Sequence, residues 1–184
     1  GVNMALSTIG TNSIADSAVT AAKSSGVNPV SEVDSWRITS NFNLNNNSVY
    51  LTSNWERADY SGFEKIGTGL SESSGTFSFA STGKYLLLYQ AFGFTNNNAN
   101  ENQIWIDWSV DNFSNTITIS NLGMGPSSAD ATEFGGATVI AVVDVTNTST
   151  HKFKCAVSST ANFNWGGDST KTRTGVTAIR LGDT

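Results

Sequence analysis

From residue 36 onward the chain is a series of short apolar runs separated by turn chemistry. In TFSF, IWIDWSV, TITIS and KFKCAV every second residue is apolar. The apolar sets are Phe77 and Phe79; Ile104, Ile106, Trp108 and Val110; Ile117 and Ile119; and Phe153, Cys155 and Val157. A period of two places each set on one face of a strand and leaves the other face to water. Between the runs lie NLNNN, TNNNANEN, GMGP, FGG and WGGD, which are turn-forming text. The pattern predicts an all-β chain, an antiparallel jelly-roll sandwich of about eight strands.

Two runs break the alternation. YLLLYQAFGF (85–94) and TVIAVVDV (138–145) are apolar on both faces. Leu86, Leu88 and Phe92 need a dry neighbour on one side, and Tyr85, Leu87 and Tyr89 need one on the other. A single sandwich core buries only one of these sets, and no convincing helix follows residue 35 to cover the second. Apolar surface of several hundred Å² is seldom left in water, so the second face is expected to meet another copy of the chain. The candidate contact residues are Tyr85, Leu87 and Tyr89 with Val139, Ala141 and Val143, or their alternates in the same strands. Periodicity leaves open which of the two faces lies inside.

Residues 1–34 contain no aromatic residue. Ile14, Ala15, Ala18, Val19 and Ala22 follow a helix-like spacing behind a cap at Asn12 or Ser13, too short a segment to be stable alone. The chain therefore divides into an extended or partly helical N-terminal arm, 1–34, and a head, 35–184. The arm holds too many Ile, Val and Ala side chains for a purely solvated tail. Ile9, Ile14, Val19 and Val27 are its candidate attachment points on a partner.

Composition removes several functions. Of 184 residues only 14% are charged, against about 25% in ordinary soluble domains, and Ser, Thr and Asn make up about a third. A net charge of −5 with scattered basic residues argues against nucleic acid, which needs a concentrated Lys/Arg footprint, and against a membrane surface. Cys155 is the only cysteine, so no intrachain disulfide can form. The opening text GVNMALSTIGTNSIADSAV carries neither a basic segment nor a continuous apolar one, which leads to the expectation of folding in a reducing cytoplasm.

Catalytic chemistry has little to work with. His151 is the only histidine, so every nucleophile–base arrangement would have to use it, and it stands beside Lys152 after the turn TNTST. Cys155 falls on an apolar strand face, and one His with one Cys makes no ordinary zinc site. Asp107 and Asp111 flank Trp108, but Asp107 alternates out of the core with Trp105 and reads as a solvated strand residue. The segment 127–133 and the stretch FNWGGD are oxygen-rich without the order of a calcium loop. The expectation is a protein with no enzymatic activity, cofactor or metal. Trp55, Trp105 and Trp165, beside polar loops, are the candidates for stacking on a ligand such as a glycan.

The run SSGTFSFASTGKYLLLYQAFGF and the closing TRTGVTAIRLGD resemble the trimeric jelly rolls of the tumour necrosis factor and complement globular-head type. The resemblance covers roughly residues 36–184 and implies a homotrimer with the two-sided strands near its axis. The words TIGTNSIADSAVTAAK and the Asn/Ser/Thr-rich texture look like small structural proteins of tailed, marine bacteriophages. That likeness implies a virion protein, a capsid decoration or cement knob on the phage head, with the major capsid protein as partner. The alternative it implies is a fibre or spike tip that recognises host surface glycan.

Overall fold

The computed structural model describes residues 30–95, 101–125 and 133–184. Its strands are β1 (Val33–Ile38), β2 (Phe42–Leu44), β3 (Asn47–Tyr50), β4 (Trp55–Arg57), β5 (Ser71–Ser73), β6 (Thr76–Ser78), β7 (Gly83–Thr95), β8 (Asn102–Ser109), β9 (Ile117–Met124), β10 (Glu133–Val145), β11 (Lys152–Ser159), β12 (Phe163–Trp165) and β13 (Gly175–Gly182). All pairings are antiparallel. The first sheet has seven strands in the order β2-β12-β7-β13-β1-β4, with β10 along the other side of β7. The second has six, β5-β6-β11-β8-β9, with β3 also on β11. The result is the predicted sandwich with more strands than the pattern suggested. The extra ones are three-residue pieces such as FNL, WER and SES, too short and too polar to show a period.

The inner faces interlock through aromatic rings. Phe77 stacks on Phe153 at 4.9 Å, and Phe79 meets Tyr85 at 4.6 Å. With Ile104, Ile106, Leu87 and Tyr89 these form one continuous core. Truncating one such ring to Ala typically costs about 3–5 kcal/mol. At Gly93 the long strand β7 crosses from β13 to β12, and a Cβ there would collide with the Phe163 ring and the Asn164 carbonyl.

Three expectations need correction. Tyr85, Leu87, Tyr89, Val139 and Val143 were placed at a subunit contact, yet all are buried within the single chain, and Ala141 lies half-buried in the same register. The tyrosines can go inside because their hydroxyls find partners. Tyr89 Oη donates to the Ala156 carbonyl of the other sheet at 3.2 Å, and Tyr85 Oη reaches Glu32 and the Ser81 carbonyl at the rim. Val110 and Ile117 are not core residues: each is more than half exposed, beyond the end of β8 and at the start of edge strand β9. The head begins earlier than residue 35, since β1 starts at Val33 and Asp34 is only 2% exposed. The candidate attachment residues Ile9, Ile14, Val19 and Val27, and the helix-like segment around them, lie outside the described residues.

Candidate functional site

Strand β7 alternates strictly, so its second apolar set, Leu86, Leu88, Phe92 and Phe94, faces away from the core. Strand β10 extends this surface. Val142 lies opposite Leu86, Ile140 opposite Leu88 and Phe134 opposite Phe94. Val142, Ile140 and Phe134 are 64%, 56% and 69% exposed. On the other flank of β7, Ile179 pairs with Leu86. The outer face of the first sheet is thus apolar across three strands. At one end Phe92 and Phe134 stack at 5.8 Å and, with Phe94, Gln90, Thr172 and Arg173, line a recess of about 480 Å³. Strand β10 is also a sheet edge: among the described residues its side away from β7 carries no partner strand. Strand β9, the edge of the second sheet, runs beside β10 and exposes Ile117 and Leu122.

The second sheet's outer face is polar, and Asp107 is its hub. Its carboxylate accepts from Tyr50 Oη at 2.6 Å, Trp105 Nε1 at 3.2 Å and Thr118 Oγ1 at 2.6 Å. It faces outward as the alternation predicts, but these neighbours cover it and leave it 4% exposed. The hydrogen bond to this carboxylate, aided by burial and by the charge itself, pushes the Tyr50 phenol up to about 12.

Of the three candidate stacking tryptophans, only Trp105 points outward. Trp165 is fully buried, edge-on to Phe163 at 4.8 Å with its Nε1 donating to Ser159. Trp55 closes the sandwich edge-on to Phe77 at 4.9 Å, its Nε1 held by the Leu51 carbonyl. Trp residues flanked by polar text therefore served as core lids. His151 is nearly buried between Thr146 and Thr150, edge-on to Trp108. Burial pushes the Cys155 thiol well above its ordinary value, so it carries no thiolate at neutral pH. Asp111 is engaged by Ser109 and Asn115, which lower its pKa. No group of three His, Cys, Asp or Glu among the described residues could hold a metal ion.

Two buried charges escaped the sequence reading. Asp34 accepts from Trp36 Nε1, Arg57 Nε and the Leu70 amide at 2.8–3.0 Å. Arg57 in turn lies 4.7 Å over the Trp36 ring, so one carboxylate ties the segment after β4 back to β1. Arg37 is the opposite case. Its Nη2 lies 3.3 Å from Glu56 and 3.6 Å from Asp59, while Nε and Nη1 are buried without a partner among the described residues.

Solved structures share this architecture. A crystal structure of murine APRIL matches 82% of this chain and 98% of its own, with a TM-score of 0.57 at 13% identity. Eiger TNF from S. frugiperda matches 83% of this chain and 93% of its own, with a TM-score of 0.57 at 11% identity. The head is a tumour-necrosis-factor-like jelly roll. No family description and no curated protein sequence matches the chain. At such low identity the likeness concerns the fold alone. In this jelly roll the apolar face belongs to β7, β10 and β13, and the Asp107 hub belongs to the opposite sheet.

Proposed function

We propose that the chain is a non-catalytic structural head that works as a homotrimer, serving as a decoration knob on a tailed-phage capsid. The observation that supports assembly is the open apolar face: Leu86, Leu88, Phe92 and Phe94 with Phe134, Ile140 and Val142, uncovered in the single chain. A patch of this kind on a soluble head is an interaction surface. The same chain also carries a second apolar surface, the β9/β10 edge with Ile117 and Leu122. A face on one copy that receives the edge of the next forms a heterologous contact, which closes into a ring where the rotation between copies completes a circle. Likeness to trimeric jelly rolls supports a ring of three. Covering β10 in this way also protects a 13-residue edge strand from non-specific pairing.

The virion setting is supported by the texture of the N-terminal text, and residues 1–29 are the attachment arm in this reading. Light scattering tests the assembly: three times the 19.5 kDa chain mass is expected at micromolar concentration, and a stable monomer overturns it. Deletion of residues 1–29 tests the setting. The expected product is a soluble trimer that no longer sediments with capsids, whereas undiminished attachment moves the contact onto the jelly roll.

A further inference from the structure

We propose that the outer face of the second sheet, around Trp105 and Lys154, binds an acidic saccharide. The inference goes beyond the assembly reading and does not depend on it. Tyr50, Ala156 and Trp105 form one row across β3, β11 and β8, and Lys154, Asp107 and Thr118 form the next across β11, β8 and β9. Ala156 is fully covered, so two rings stand on either side of a small floor residue. Both ring edges are pinned inward, since Tyr50 Oη and Trp105 Nε1 share Asp107 Oδ2. Rings whose polar edges are held this way present apolar surface to solvent in a fixed orientation, with little ordering left to be done on binding.

A second observation converges on the same place. Asn112 and Phe113 both have positive φ, 59° and 63°. A bulky residue in that region is strained, and such strain collects at binding and switch sites. Here it is held by the Phe113 amide donating to Ser109 Oγ at 2.8 Å, and it brings the Phe113 ring 4.2 Å from Lys154 Nζ. Tyr50 flanks the same ammonium at 5.1 Å. Lys154 is thereby fixed between two rings, yet its ammonium has neither a hydrogen bond nor an ion pair among the described residues. The nearby carboxylates are already occupied: Asp107 by three donors, Asp111 by Ser109 and Asn115. Lys152 stands two residues along the same strand face and adds positive charge, in a chain whose net charge is −5.

These features suit a ligand with an apolar ring face and an anionic oxygen. The C–H face of a pyranose carries slight positive charge and stacks on the negative face of an aromatic ring. A sugar carboxylate accepts from the unpaired ammonium in a charge-assisted hydrogen bond. A neutral saccharide would use the rings but leave Lys154 unpaired.

The test is titration calorimetry of the full chain with oligogalacturonate, oligoalginate and sialyllactose, against dextran oligomers as the neutral control. Saturable binding of at least one acidic probe is expected at millimolar concentration or below. Trp105→Ala and Lys154→Gln should each weaken it about tenfold or more, with circular dichroism and light-scattering mass unchanged. Absence of saturable binding by all three acidic probes overturns the proposal, as does binding that survives both substitutions. Equal affinity for dextran overturns the role of Lys154. An unaltered chain that binds as a monomer would count against the trimer alone.

Discussion

The two outer faces of the sandwich are built on one plan and finished in opposite ways. Each has alternating strands whose inner residues fill the same core. On the first sheet the outward positions of β7 and β10 include Leu86, Leu88, Phe92, Phe94, Phe134, Ile140 and Val142, interrupted by Gln90, Gly136 and Thr138 and bounded by Lys84 and Asp144. On the second sheet the outward positions of β8 and β11 are Gln103, Trp105, Asp107, Ser109, Lys152, Lys154, Ala156 and Ser158. The inner faces determine the fold, and the outer faces determine what each sheet can meet. One face gains by losing water against another protein surface. The other is polar, its Asp107 carboxylate already held by three donors, and it offers rings and the ammonium groups of Lys152 and Lys154.

The largest expected effect comes from making the first face resemble the second. Ile140 is 56% exposed, so Ile140→Asp should leave the fold intact by circular dichroism. In the assembly the new carboxylate would be buried without a partner, which costs several kcal/mol per contact. The mass by light scattering should fall to that of one chain. The matched control is Thr76→Asp on the second sheet, which should leave the mass unchanged. Equal effects from the two substitutions would show that the faces do not differ in the way argued.

A smaller effect is expected from removing the hub of the second face. Asp107→Ala takes an acceptor from Tyr50, Trp105 and Thr118 at once. Their half-exposed positions let water replace part of what is lost, so the cost should be about 2 kcal/mol in denaturant unfolding. Asp107→Asn should cost less, because an amide oxygen still accepts. Unchanged stability in the Ala variant would mean that the three donors gain nothing from the carboxylate.

The difference between the faces was partly legible in the text. IWIDWSV and KFKCAV each show one polar set, which the structure places outside as expected. YLLLYQAFGF and TVIAVVDV show two apolar sets, and nothing in a period of two ranks one above the other. The choice is made by contacts between residues far apart in the chain, such as Tyr89 with the Ala156 carbonyl. The same limit explains Trp165, whose polar neighbours suggested exposure, although its ring is clamped by Phe163 and Ser159. Asp34 was missed for a related reason: its donors are Arg57, Trp36 and the Leu70 amide, and a carboxylate at the edge of a low-charge segment gives no sign of them. Phe113 was missed because positive φ leaves no mark on a residue type that rarely adopts it.

The smallest expected effect is a titration, and it isolates the charge of Asp107 from its shape. Tyr50 is pushed from 10.0 to about 12, chiefly by its hydrogen bond to that carboxylate, then by burial and by the charge. A phenol whose folded pKa lies above its unfolded value is stabilising in its protonated form. The contribution is therefore complete below pH 10 and disappears as pH rises from about 10 to about 12. Asp107→Asn removes the negative charge and leaves a neutral acceptor in place. Tyr50 in that variant should titrate closer to its ordinary value, and the alkaline loss of stability should shrink. The check is the Tyr50 ring signal by NMR followed across alkaline pH in the two proteins, since Tyr85 and Tyr89 are also raised, mainly by burial, and would blur a bulk absorbance reading. If Tyr50 titrates at the same pH in both, burial rather than the carboxylate holds its proton, and the hub is a packing feature instead of an electrostatic one.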